Sequence, residues 1–268
     1  MATPALVLAT DSGSSSTDGI TNVSTVNVTG LETGATWQYS LDGGSTWLTG
    51  SGSSFNLTPG TNTYVVRQTD ASGNTSLPST GVNFTLDTAV LAPTLALAAD
   101  TGTNTTDGVT SNATVNVSGI ESGATWQYQV DGGAWVTGTG TSFNLTSGSH
   151  TYAVRQTDLA GNVNSVSATK TFVLDTAVAT PALVLATDSG SSTSDGITNV
   201  ATVNVTGLES GATWQYQVDG GAWVNGTGTS FNLTDGSHTY AVRQTDPAGN
   251  VSAASTATSF TLDTAVTA

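Results

Sequence analysis

No cysteine occurs among the 268 residues, and methionine appears only at position 1. Disulfide frameworks and Cys-ligated zinc or iron–sulfur sites are thereby excluded. Basic residues are almost as scarce. Four Lys and Arg stand against 19 Asp and Glu, giving a formal net charge of -15. A nucleic-acid binder needs a basic face, and four cations do not build one. No apolar run approaches the roughly 18 residues of a membrane-spanning helix. No signal-peptide pattern opens the chain. Met1 and Ala2 lead straight into patterned sequence, as expected of a fragment of something longer. Helical periodicity of useful length is also missing.

Small hydroxyl residues fill the space: 52 Thr and 31 Ser, with 31 Gly beside them. Leu, Ile, Val and Phe together number only 55. That is close to the ~20% level below which acidic chains tend to stay unfolded. Composition leaves folding open, and the pattern decides it.

The chain repeats itself with a period of 88 to 89 residues. Trp37-Gln38-Tyr39 returns at Trp126 and Trp214, and Arg67-Gln68-Thr69-Asp70 returns at Arg155 and Arg243. The copies meet at Leu86-Asp87-Thr88-Ala89-Val90 and Leu174-Asp175-Thr176-Ala177-Val178, and Leu262-Asp263-Thr264-Ala265-Val266 comes at the end. This divides the chain into repeats at 1–89, 90–177 and 178–268, each the size of one small domain. Within a repeat, apolar residues alternate with polar ones: Val26 and Val28, then Trp37, Tyr39 and Leu41, then Tyr64 and Val66, then Val82, Phe84 and Leu86. Period-two alternation over short runs, broken by Gly, Asn, Asp, Ser and Pro, predicts half-buried strands and turns. Seven strands per repeat predict an all-β chain of three tandem immunoglobulin-like β-sandwich domains in a linear array. Trp37 falls on the third predicted strand, where such folds bury a tryptophan. Tyr64 opens the sixth, where a tyrosine corner belongs. Val26 or Val28, with Val66, would fill the space of the missing cysteine pair.

Eighteen of the 19 acids occupy the same six places in each repeat, and the other is Asp235. Strands that run alternately up and down assign each loop to one end of the sandwich. The loop Asp11–Asn22 and Asp87 then lie at one end of the first repeat, with Asp18. Glu121 and Asp158 lie at the facing end of the second, with Asn162 nearby. Five carboxylates meeting at such a joint, with no Lys or Arg beside them, would repel. Hard oxygen donors at that density suit Ca²⁺, which takes 6–8 of them. The candidate metal set is therefore Asp11, Asp18, Asp87, Asp100, Asp107, Glu121, Asp158, Asp175, Asp188, Asp195, Glu209, Asp246 and Asp263. Asp42, Asp131 and Asp219 head Asp-Gly-Gly stretches and read as hairpin turns.

The ordered motifs Asp-Ser-Gly-(x)4-Asp-Gly-Ile-Thr-Asn, Thr-Val-Asn-Val-(Thr/Ser)-Gly, Ala-Thr-Trp-Gln-Tyr, Arg-Gln-Thr-Asp-x-(Ala/Ser)-Gly-Asn and Leu-Asp-Thr run through the copies, the first of them varied in the second copy as Asp100-Thr101-Gly102-(x)4-Asp107-Gly108-Val109-Thr110-Ser111. In this order they resemble the Ig-like extender repeats of giant, type I-secreted (RTX-type) biofilm adhesins of Gram-negative bacteria. The resemblance implies an extracellular stalk on the bacterial cell surface, with Ca²⁺ stiffening the domain joints. It carries Asp11, Asp18, Asp87 and their repeat equivalents as ligands. The partners it implies are neighbouring repeats of the same chain, in a monomer without nucleic acid or membrane contact. Gly-Gly-x-Gly-x-Asp calcium repeats are absent.

Catalysis is not expected. The first repeat has no His, and His150 and His238 fall in Gly-Ser-His-Thr-Tyr segments read as exposed turns. Neither sits beside a nucleophile elbow, so a Ser-His-Asp arrangement has no positioned base. Ser40-Leu41-Asp42-Gly43-Gly44-Ser45-Thr46-Trp47 matches the Asp-box of sialidase propellers, a structural hairpin. The alternative function is a carbohydrate-binding array using Trp47, Trp135 and Trp223 on exposed hairpins.

Overall fold

The computed structural model describes residues 1–265. Every element among them is a strand. In the first repeat these are β1 (Ala5–Leu8), β2 (Ile20–Thr21), β3 (Thr25–Thr29), β4 (Thr36–Ser40), β5 (Leu48–Thr49), β6 (Ser54–Asn56), β7 (Gly60–Thr69) and β8 (Val82–Leu86). They form a three-stranded sheet, β1-β3-β6, and a five-stranded one, β2-β8-β7-β4-β5. The same pair of sheets occurs three times along the chain, giving tandem immunoglobulin-like sandwiches.

The count is eight strands, one more than the sequence pattern predicts, because β2 lies inside the Asp11–Asn22 segment expected to be all loop. Ile20 and Thr21 pair in parallel with Thr85 and Leu86 of β8. β1, by contrast, pairs antiparallel with β3, Leu6 opposite Val28. The chain therefore leaves one sheet after Leu8 and joins the other at Ile20. Residues 9–19 cross the end of the sandwich between them, which places Asp11, Ser12 and Gly13 there.

Alternation along β3, with Val26 and Val28 buried and Asn27 exposed, supplies one inner face. Trp37, Tyr64, Val66, Phe84 and Leu86 supply the other. Burying each such side chain contributes about 1.5–3 kcal/mol. Trp37 sets its indole N–H on the Gly52 carbonyl at 2.8 Å. Gly50 lies against the same ring, where a Cβ would approach within 2.3 Å. The Tyr64 hydroxyl accepts the Thr58 N–H at 3.2 Å, closing the tyrosine corner. Val203, Trp214, Tyr240 and Val242 repeat this core in the third repeat.

By compactness the described chain falls into two units. One comprises Met1–Leu95 with Val117–Ser142 and Tyr152–Thr169, and the other comprises Ala96–Asn116, Phe143–Thr151 and the chain from Lys170 onward. No helix among the described residues is long and apolar enough to cross a membrane.

Candidate metal centre at the joint between repeats

Asp175 closes the strand Lys170–Leu174. It lies with Glu209 and Asp246 in a group whose ligand oxygens all fall within 4.8 Å of one another. Glu209 comes from the turn before the strand Thr213–Val218, and Asp246 from the end of the strand Gly236–Thr245. Asp246 is only 2% exposed. Three of the four basic side chains are held elsewhere, Arg67 on Gln38 among them. Arg155 and Arg243 each hydrogen-bond a glutamine, Gln127 and Gln215. Two carboxylates 4.8 Å apart repel by about 3–4 kcal/mol at an effective dielectric near 20.

Asp87, Glu121 and Asp158 are the sequence equivalents one repeat earlier, and Asp158 is also buried. Asn162 donates its amide to the Asp87 carbonyl at 2.9 Å and to Asp158 Oδ2 at 2.7 Å. Asn250 does the same for Asp175 and Asp246. Asp70, the counterpart in the first repeat, is half exposed. Asn74 side-chain and backbone donors hold its carboxyl below the usual carboxylate range.

Asp100 and Asp107, expected to meet Asp175, Glu209 and Asp246, are not members of that group. They turn inward to fold their own loop. Asp100 Oδ2 accepts the Gly108 N–H at 3.0 Å, and Asp107 Oδ1 accepts the Val109 N–H at 3.0 Å. Asp11 and Asp18 make the same bonds to Gly19 and Ile20, as do Asp188 and Asp195 to Gly196 and Ile197. Asp263 Oδ1 accepts the Ala265 N–H.

Satisfaction stops short at one atom per loop. The Oδ1 atoms of Asp11, Asp100 and Asp188 are buried with no hydrogen-bond partner. A buried carboxylate oxygen left unpaired is costly, and a bound cation removes that cost. Every donor here is a hard oxygen, and an accepted hydrogen bond leaves a carboxylate oxygen a further lone pair. The residues present therefore fit Ca²⁺.

A buried glutamine on each long strand was not singled out by the sequence pattern. Gln244 Oε1 accepts the Glu209 N–H, while its Nε2 donates to the Ala179 and Gly207 carbonyls. Glu209 Oε1 in turn accepts the Ala179 N–H at 2.8 Å. The linker residue Ala179 is thus held by both its N–H and its C=O. Gln156 and Glu121 hold Leu91 identically, and Gln68 and Glu32 hold Ala2.

The hairpin tryptophans are half-buried rather than freely exposed. Arg67, Arg155 and Arg243 lie over Trp47, Trp135 and Trp223 at 3.9, 4.3 and 4.3 Å from the ring centroids. One face of each ring is thereby covered, which weakens the carbohydrate-platform reading. The Asp-Gly turns hold their hairpin role. Asp131 and Asp219 have φ of 50° and 49°, followed by Gly132 and Gly220 at 68° and 67°. Two successive positive φ values define a type I′ turn.

The histidines stand on strands, half-buried, not in exposed turns. His238 Nδ1 lies 2.6 Å from Asp219 Oδ2. That hydrogen bond, then the Asp235 carbonyl, raises the imidazole above its ordinary value. The Thr239 N–H, then His238, lowers Asp219. A raised histidine stabilises fully below its unfolded value, about 6.5, and that stability is lost as pH climbs through the folded value. The lowered aspartate works oppositely: its contribution is lost as pH falls through its folded value. His238→Gln is therefore expected to flatten the decline in third-repeat stability between about pH 6 and 8. Calorimetry across that range checks it, and an unchanged slope would exclude the pair as its source. Asn62 stands at this place in the first repeat.

Among known proteins, exoglucanase B of Cellulomonas fimi is 33% identical over 162 residues, 55% of this chain and 15% of its own length. The chain thus spans under a sixth of that relative. Two solved structures are similar in fold. A Ca2+-stabilised adhesin by which an Antarctic bacterium binds ice shares 22% identity, with TM-score 0.33, over all of this chain and 75% of that one. A tetra-tandem repeat from the extending region of a large adhesion protein shares 17% identity, with TM-score 0.34, over 98% and 74%. The family model described as bacterial Ig-like domain matches residues 1–88 and 177–264, and the chain belongs to that family.

Proposed function

We propose that residues 1–89, 90–177 and 178–268 are successive extender repeats of an extracellular stalk on a bacterial surface adhesin. The role is mechanical and non-catalytic: the segment holds ligand-binding modules away from the cell for adhesion and biofilm formation. Calcium stiffens the joints. The observation that carries this reading is the meeting of Asp175, from the end of one repeat, with Glu209 and Asp246 of the next. Unneutralised, such a joint pushes its two sides apart. Ca²⁺ supplies the charge that reverses the sign of the interaction. Asp175, Glu209 and Asp246 would hold the ion at one joint, and Asp87, Glu121 and Asp158 at the other. The orphaned oxygens of Asp11, Asp100 and Asp188 offer a further ligand in each loop. Asn162 and Asn250 orient the Asp carboxylates without competing for the cation, since an amide nitrogen only donates.

Small-angle scattering of the 268-residue chain tests this, in about 5–10 mM calcium and then in chelator. Extracellular modules bind calcium with dissociation constants of about 10⁻⁴–10⁻³ M, so that concentration fills the sites. The expected result is a narrow ensemble with calcium and a broader or unfolding one without it. Coincident curves would remove the acids from the joints as ligands.

A further inference from the structure

The joints carry a second, uncharged contact, and its two copies can be compared with the same loop where nothing meets it. Ser12 Oγ donates to the Ala160 carbonyl at 2.7 Å, and Thr101 Oγ1 donates to the Ala248 carbonyl at 2.5 Å. Beside these hydroxyls stand Gly13 and Gly102, with φ of 96° and 95°. A Cβ on Gly13 would sit 1.8 Å from the Leu159 carbonyl oxygen, and one on Gly102 1.9 Å from that of Pro247. Gly161 and Gly249 approach Gly13 and Gly102 in return, each leaving about 3 Å for a Cβ. Ala160 and Ala248 are 1% and 0% exposed.

The remaining copies provide the contrast. Gly190 is the third member of the Gly13 series, with φ of 105°, and nothing lies within 4 Å of its Cβ position. Ser72 and Gly73, the counterparts of Ala160 and Gly161, are exposed, and Gly73 also meets nothing. Ala160 and Ala248 are therefore buried by the adjoining repeat's loop and not by their own fold.

We infer that the hydroxyl–glycine pair (Ser12-Gly13, Thr101-Gly102, Ser189-Gly190) is a docking surface that reads an x-(Ala/Ser)-Gly-Asn loop on the following repeat and locks the joint without metal. The inference rests on the tandem-extender reading and adds to it. The charged half of each joint needs a cation. The neutral half needs only that no side chain stand between two backbones. Gly13 and Gly102 are its specificity-determining residues, because any Cβ there drives the loops apart. The kind of partner that the Ser189-Gly190 surface fits is another repeat with the same small loop.

The absence of cysteine allows a clean distance measurement on the whole chain. Spin labels on Thr139→Cys and Thr229→Cys, both exposed positions on adjoining repeats, report that joint. In chelator, the unmodified joint is expected to keep a narrow distance distribution. Gly102→Ala should lose it, while Gly190→Ala should not. The two changes place alanine at nearly the same φ, so backbone strain cancels between them and only the joint contact differs. Should Gly102→Ala unfold, Ala248→Leu against Ser72→Leu repeats the comparison on loops whose own repeat leaves the position exposed. A broad distribution in chelator before any substitution, or equal behaviour within each variant pair, overturns the lock. Calcium titration calorimetry on the same samples separates the two readings: no binding heat with a narrow distribution sinks calcium and keeps the lock.

Discussion

Replacing Gln244 by leucine is expected to destabilise the third repeat by about 1–3 kcal/mol. The side chain is 0% exposed and makes three hydrogen bonds. Leucine fills a similar volume and leaves the Glu209 N–H and the Ala179 and Gly207 carbonyls without that partner. A fully buried group so orphaned costs about 1–3 kcal/mol, and the surface position of Ala179 and Gly207 lowers the cost of their carbonyls. The loss is local in origin and visible at the joint, because Ala179 is the linker residue. Hydrogen exchange of the Glu209 amide should accelerate strongly, and calorimetry should show the third repeat melting earlier. A loss below about 1 kcal/mol would mean that the linker is not held by this amide. Gln156→Leu should act alike on Leu91.

Neutralising Glu209 as Glu209→Gln is expected to change sign with calcium. Gln keeps an oxygen for the Ala179 N–H and removes only the charge. In chelator the variant should be as stable as the parent or more so, since mutual repulsion with Asp175 and Asp246 is relieved. In calcium it should be less stable, having lost a ligand. At 10 mM calcium, a site with dissociation constant of about 10⁻⁴–10⁻³ M contributes about 1.4–2.7 kcal/mol by mass action. That increment is the expected loss. Thermal unfolding of parent and variant in both buffers gives four numbers and one interaction term. The same sign in both buffers would make Glu209 a structural acceptor alone. Glu121→Gln tests the other joint.

Much of the molecule follows from local pattern. Period-two alternation placed Val26 with Val28 and Tyr64 with Val66 on inner faces. It does so because a strand has only two faces, and the buried one must be apolar. The hairpin reading of Asp131 and Asp219 followed from turn chemistry, where consecutive positive φ values favour Asp-Gly. Three matters escaped the pattern. Gln244 lies at even spacing from Tyr240 and Val242, hence on the inward face, and a polar residue there signals a buried hydrogen-bond hub. The repeated Arg-Gln-Thr-Asp motif displayed that spacing, but a motif marks recurrence and not direction. Asp100 and Asp107 looked equivalent to Asp175, because charge alone does not say which amides a carboxylate will reach. Their loop wraps back on itself: Gly108 and Val109 each donate to one of their oxygens, and Asp100 Oδ1 stays unpaired. The pattern leaves open whether Trp135 stands free on its hairpin, and Arg155 covers one face of its ring.

By itself, the sequence determined the repeat, the all-β class and the apolar inner face of each strand. These are properties of spacing along one chain, and spacing is what a sequence records. Only the tertiary structure decided which acids share a site, which glycines must be glycines and what holds the linkers. Gly13, Gly102 and Gly190 are the same residue at nearly the same φ, yet two are pressed against a neighbouring carbonyl and one is not. That difference comes from groups 147 to 148 residues away in sequence, brought within bonding distance by folding, and it has no trace in local pattern.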